Sequence, residues 1–439
     1  MRNGPEALQF HSLVRHLRGE FEDVPDKRKQ DQVVFPLVDV ILSGLAMMFW
    51  QDPGVLPFQE RMQEQIGSSN LRTMFGVDKV PGTTQFRKLL DPIEPSFLMP
   101  GLRKGITLLQ GTRAWLKFKS LGGRFLVAID GTEYFLSEKI HCNRCLKREH
   151  RDGRIEYYHQ ALVAALIHPL TGQSFPLLAE EICREDGTTK QDCEINAAKR
   201  LLPKLASMYP HLDMVLIADS LYSKTPVMTL AKTLKMNFIF VAKPGDHAHL
   251  QEQLMGLRLA QGVTRLEKEE QQGKVARKKV EIAHDVPLFA TTDITAHWLS
   301  YSEESNSGKV GYQNGWVTSI KPTKKNALEL VAAGRHRSSI ENQTFNALKN
   351  HGHHFEHNFG HGKKHLRFNF ITLNLLAFLM HQLLEIGDEL YTQARTWNGA
   401  VRNFHNLLQG AIRLLLWPDW TTLMNYLLGR TPRIRIESG

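Results

Sequence analysis

The chain has 439 residues, 42% hydrophobic and 23% charged, the balance of a globular protein able to bury a large core in one elaborated domain or in two or three. A formal net charge of +10 and a pI near 9.3 favour a polyanionic partner, nucleic acid ahead of an anionic membrane. Four cysteines in so long a chain exclude a disulfide framework and suit a reducing cytoplasm, and the polar stretch Met1–Gln30 has no signal-peptide core.

Met1–Thr112 reads as mostly helical, with Val33–Trp50 apolar at helical spacing and stopped by Asp52-Pro53-Gly54. Phe75–Leu90 reads as a short helix, a turn at Val80-Pro81-Gly82 and a second helix carrying Gln85, Arg87 and Lys88. That pattern suits a DNA-binding helix-turn-helix and equally a plain helical hairpin. The two most apolar stretches, Phe35–Trp50 and Phe368–Leu384, are broken by Asp39 and by Asn369, Asn374, His381 and Gln382. Both read as buried helices, so no membrane partner is expected.

From Phe125 the pattern turns α/β. Phe125–Glu133 is a short continuous apolar run leading into Asp130, Gly131 and Glu133, the signature of a buried central strand ending in an acid. Strands follow at Tyr157–Leu166 and Ser174–Leu178, then a helix at Cys193–Leu205. Met214–Asp219 is a second apolar run ending in an aspartate, followed by a helix near Thr225–Lys235 and a strand at Asn237–Lys243. The order β-β-β-α-β-α-β, with acids closing the first and fourth strands, is that of an RNase H-like domain. Beyond Gly245, Lys278–Ile282, Ala296–Tyr301 and Gly315–Ile320 alternate like antiparallel strands of a β-rich insertion. Asn326–Asn350 returns to helix and spaces Arg337, Glu341 and Phe345 at intervals of four. The expected fold is an α/β RNase H-like mixed-sheet core with a β-rich insertion, an N-terminal helical domain and a helical C-terminal region. The expected segments are 1–118 (helical, DNA-binding), 119–244 (core, first part), 245–316 (insertion), 317–388 (core, second part) and 389–439 (helical tail).

Asp130, Asp219 and Glu341 are the candidate catalytic residues and metal ligands. Two aspartates at strand ends and a glutamate on a later helix are what two-metal phosphoryl transfer requires, because hard divalent cations prefer carboxylate oxygens. Unneutralised, such a cluster repels itself.

Three stretches carry a resemblance: Ala128-Ile-Asp-Gly-Thr-Glu133, Ile217-Ala-Asp-Ser-Leu-Tyr-Ser223, and Gly334–Asn350 with Arg337, Glu341 and Lys349. In this order they resemble the motifs of bacterial insertion-sequence DDE transposases, the RNase H-like class with a β-strand insertion before the glutamate. His351–Lys364 is similar to a subgroup of them. The resemblance implies two Mg²⁺ (Mn²⁺ can substitute) on Asp130, Asp219 and Glu341, and Arg337 and Lys349 on DNA phosphate near the scissile end. The implied partners are terminal inverted repeats, target DNA and a second copy of the chain. The alternative is a catalytically inactive or domesticated DNA-binding derivative. The chain departs from the commoner pattern in having Gly334 where a tyrosine usually precedes Arg337. Lys349 also lies eight rather than seven residues after Glu341, about 80° around an α-helix from it.

Four groups keep two readings. Cys142-Asn-Arg-Cys145, with His141, His150 and His159 nearby or with Cys183 or Cys193, forms a zinc site or reduced thiols. His351, His353, His354, His357, His361 and His365 fall in a stretch, 321–370, with nine Lys or Arg against three Asp or Glu. They read as a DNA-facing surface, with Arg335, Lys363 and Lys364, ahead of a second metal site. Trp298 reads as core or, as the resemblance implies, as a platform for a flipped base, and Trp316 as core. Glu133 is a fourth acid or a solvated turn residue.

Overall fold

Fifteen α-helices and eleven strands form among the residues described by the computed structural model, namely 4–29, 31, 33–184, 192–269 and 277–430. The chain opens with α1 (Phe10–Glu22), α2 (Leu37–Phe49), α3 (Val55–Gln63), α4 (Gln65–Phe75), α5 (Thr83–Leu90) and α6 (Met99–Gln110). Then come β1 (Lys119–Ser120), β2 (Arg124–Ser137), β3 (Leu146–Glu149), β4 (Ile155–Ile167), β5 (Ser174–Ile182), α7 (Glu194–Met208), β6 (Met214–Ala218), α8 (Thr225–Thr233) and β7 (Asn237–Val241). α9 (Ala248–Leu259) precedes four strands, β8 (Thr264–Glu269), β9 (Arg277–Pro287), β10 (Thr295–Glu304) and β11 (Val310–Thr318). The remainder is helical: α10 (Ala327–Arg335), a π-helical turn at Ile340–Phe345, α11 (Asn346–Asn350), α12 (Leu366–Gly387), α13 (Glu389–Trp397), α14 (Val401–Leu414) and α15 (Trp420–Leu427).

The chain divides into two compact units that cut across the five expected segments. The sheet unit is Leu116–Thr132 with Ala161–Thr344; the helical unit is Met1–Trp115, Glu133–Gln160 and Phe345–Gly439. Strands β2 and β4 each contribute residues to both.

In the sheet unit β4 pairs with β5 and lies beside β2, and the order continues β2-β6-β7-β11-β10-β9-β8. β2, β6 and β7 are parallel, with Phe125 opposite Met214 and Val215 opposite Asn237. Their side chains Leu126–Ile129, Val215–Ala218 and Phe238–Phe240 are buried, which is why these strands read as unbroken apolar runs. β11 joins β7 antiparallel, so the inserted strands extend this sheet instead of closing a sheet of their own. β8 to β11 form an antiparallel meander preceded by α9. The expected end of β2 at Asp130 is not observed: the strand runs on to Ser137, while its pairing with β6 stops at Ala128 opposite Ile217.

The helical unit is organised on α12, whose 22 residues are long and apolar enough to cross a membrane but are mostly buried in the fold, against α2 and α6 among others. α13 to α15 belong to this core: Trp420 stacks on Phe10 at 4.1 Å, and the Tyr391 hydroxyl lies 2.9 Å from His381 Nδ1. Asn70 donates to the carbonyls of Ile412 and Leu415 at 2.7 Å each. Residues 431–439 of the expected tail lie outside the described residues. The expected helix-turn-helix takes another form. α4 ends at Phe75, seven residues separate it from α5, and Arg87 donates to the carbonyl of Phe359 at 3.0 Å.

Candidate active site

β2 carries Asp130 past the end of β6, and the turn after β6 begins with Asp219. The β6 turn is stiffened locally. Leu221 donates its N–H to Asp219 Oδ1 at 2.8 Å, Ser223 donates to the carbonyl of Ser220 at 2.7 Å, and His247 Nε2 lies 2.7 Å from the Ser223 hydroxyl. Glu341 sits on the π-helical turn, which Thr344 ties to β5 by donating to Ser174 Oγ at 2.7 Å. Just before it, His336 Nε2 lies 2.8 Å from the carbonyl of Pro169 and Nδ1 3.1 Å from Ser339 Oγ.

These elements bring the three acids around one guanidinium. Arg337 Nη2 lies 2.7 Å from Glu341 Oε1, 3.5 Å from Asp130 Oδ2 and 3.8 Å from Asp219 Oδ2. Asp130 is the most enclosed of the acids, with 12% of its side chain exposed against 30% for Asp219 and 44% for Glu341. Burial pushes the Asp130 carboxyl up to about 8; Arg337 opposes this, while the hydrogen bond and charge of Glu341 and the charge of Glu194 add to it.

Glu194, at the start of α7, is the acid that sequence reasoning missed. It accepts from the buried Tyr222 hydroxyl at 2.7 Å, and burial followed by that carboxylate raises the Tyr222 pKa well above its ordinary value. Only the Tyr in the second motif pointed towards it. Glu133 pairs with Arg148 in the helical unit.

A cleft of about 400 Å³ opens beside Asp219, lined also by Lys243, Tyr312, Asn314, Arg335 and Arg337. Arg335 is tied down within it, 2.6 Å from Glu303 and over the Tyr312 ring at 4.4 Å. Gly334 follows from packing: a Cβ there would stand 2.6 Å from Nε1 of the fully buried Trp316, leaving no room for the tyrosine of the commoner pattern.

The remaining predicted residues lie as follows. Trp298 is 4% exposed, with the Arg258 guanidinium 5.5 Å over its ring, so it packs in the sheet unit and presents no base-stacking face. Lys349 pairs with Glu356 at 2.9 Å. The π-turn contains one residue more than an α-turn, which is the excess in the spacing from Glu341 to Lys349. Lys363 and Lys364 are exposed, and their backbone N–H groups donate to Asp91 at 2.9 Å each. Those of His365 and Leu366 do the same, outweighing burial and holding the Asp91 carboxyl below its ordinary range. The histidine stretch is not one DNA-facing surface: His353 is buried among His381 and His405, and burial keeps it neutral.

Comparison with protein-family models gives no match, and comparison with curated proteins finds no significantly similar sequence.

Proposed function

We propose that the chain is a DDE-type DNA transposase on an RNase H-like core, cutting the ends of its element and joining the freed 3′-hydroxyl to target DNA. The observation that carries this reading is the convergence of Asp130, Asp219 and Glu341 within 4 Å of one Arg337 nitrogen. The neighbour order of β5, β4, β2, β6 and β7, with acids after β6 and on a helix following the inserted strands, agrees with it. So does the net charge of +10.

The donor set fits hard divalent cations. It is all oxygen, and the resistance of Asp130 to ionisation is what a cation would relieve. Asp130, Asp219 and Glu341 would hold two Mg²⁺, or Mn²⁺, which supply the charge that stabilises the attacking and leaving oxygens of an in-line displacement. With the carboxylates neutralised, Arg337 is free to offer its planar fork to a phosphate, and Lys243 adds a second cation along the cleft. Joining two ends in concert requires at least a dimer on DNA.

One observation favours the second reading, a DNA-binding derivative that no longer cuts: Arg337 already pairs with all three acids. A strand-transfer assay separates the two. Labelled duplexes carrying the inverted repeats that bound the gene are incubated with supercoiled plasmid and Mg²⁺. The transposase reading expects label covalently joined to plasmid. Cleavage without joining points to a nuclease of the same fold, and binding alone to the derivative.

A further inference from the structure

The helical unit holds a metal-ligating set of its own. Cys142 and Cys145 lie on the turn before β3, His159 on β4, and His361 in the loop before α12. Their donor atoms all fall within 4.8 Å of one another. Sγ of Cys142 is 3.7 Å from Sγ of Cys145 and 3.5 Å from His159 Nε2. The same Nε2 is 3.3 Å from Cys145 Sγ and 3.3 Å from His361 Nδ1.

These are the edges of a zinc tetrahedron. With bonds of about 2.3 Å to sulfur and about 2.0–2.1 Å to nitrogen, tetrahedral angles separate two sulfurs by about 3.8 Å, sulfur and nitrogen by about 3.5 Å, and two nitrogens by about 3.3 Å. Hydrogen bonding does not account for the cluster. One ring nitrogen carries at most one proton or one lone pair, yet His159 Nε2 makes three such contacts. A disulfide does not either, since the sulfurs are too far apart to be bonded.

The surroundings fit a closed centre. The backbone N–H of Cys142 donates to Cys145 Sγ at 3.3 Å, and that of Cys145 to the carbonyl of Cys142 at 3.2 Å, folding the Cys-x-x-Cys turn around the sulfurs. Tyr134 stacks on the His159 ring at 5.7 Å, and Phe135 meets the His361 ring edge-on at 4.5 Å. The neighbouring cavity, about 20 Å³, is too small for an organic ligand.

We propose that Cys142, Cys145, His159 and His361 bind one Zn²⁺. Four protein ligands leave no open position, so the centre is structural. It staples the β3–β4 hairpin to a loop 202 residues further on, where closing so long a span gains most from a cross-link. Cys183 and Cys193, the other cysteines considered from sequence, belong to the sheet unit.

The test is the metal content of the full-length protein, expressed with zinc present and dialysed against a weak chelator. About one Zn²⁺ per chain is expected. It should fall at least about tenfold in Cys142→Ser/Cys145→Ser and in His361→Ala, the scale on which removing metal-site groups acts, and stay unchanged in Asp219→Ala. Cobalt(II) exchanged into the wild type should give the intense visible absorption of a tetrahedral thiolate site, a readout that does not depend on how any variant folds. Wild type without zinc, a Cys142–Cys145 disulfide found by mass spectrometry, or zinc retained by the double variant would each overturn the proposal.

Discussion

Arg337 stands one helical turn before Glu341 and donates to it at 2.7 Å, with the same nitrogen between Asp130 at 3.5 Å and Asp219 at 3.8 Å. The guanidinium therefore does for the acids what divalent cations would do. Arg337→Gln should destabilise metal-free protein by roughly 1–3 kcal/mol, the scale of hydrogen bonds to charged groups. The loss should shrink when Mg²⁺ is added. Thermal unfolding in EDTA and in Mg²⁺ checks this, and an equal loss in both would argue against cations among the acids.

Asp130 gives a pH signature. Its carboxyl is raised from 3.8 to about 8, mainly by burial, so between those values the folded protein keeps a proton that the unfolded chain has released. Stability contributed by this group is thus present below about pH 4 and lost as pH rises through about 8. Asp130→Asn should raise the Tm of EDTA-treated protein by roughly 2–4 °C at pH 8 and by less at pH 5. An effect independent of pH would contradict burial outweighing Arg337 at this carboxyl.

In the helical unit, Asp52 and Arg61 form a buried ion pair, 4% and 5% exposed, with the guanidinium over the Trp50 ring at 4.7 Å. Burial raises Asp52 to about 6 in spite of Arg61. Arg61→Met should cost about 3–5 kcal/mol by stranding the carboxylate. Arg61→Met with Asp52→Asn should cost less than the single change, as chemical denaturation would read directly.

Gly334 sets two effects against each other. Alanine is favoured in a helix by about 1 kcal/mol, but its Cβ would meet the Trp316 indole at 2.6 Å. The clash should win, with Gly334→Ala destabilising by about 1–3 kcal/mol. In a Trp316→Leu background the same change should turn neutral or favourable, and a double-mutant cycle measures the coupling.

Asp130 and Asp219 were legible because each closes an unbroken apolar run, and Glu341 because it shares a helical face with Arg337. Strands β2, β6 and β7 were legible as elements because parallel strands buried on both faces leave unbroken apolar runs. What stayed hidden is what long-range packing decides. The alternation of Gly131–Ser137 gave no sign that β2 continues, and nothing local shows that residues 133–160 fold with the helices. His361 joins Cys142, Cys145 and His159 from 202 residues beyond His159, and a histidine-rich stretch reads as one surface until its members are seen facing different ways. The π-turn under Glu341 left only the one-residue excess in the spacing to Lys349, and burial took Trp298 where sequence left two fates open.

The proposed function requires the three acids to hold the ions for DNA cleavage. The most direct measurement is nicking of labelled end DNA by wild type and Asp219→Ala, each in Mg²⁺ and in EDTA. Wild type should nick at the transposon end in Mg²⁺ alone, with a loss of at least about 10³-fold in the variant, whose zinc content and DNA binding are retained. Nicking by Asp219→Ala at the wild-type rate, or by wild type in EDTA, would contradict it.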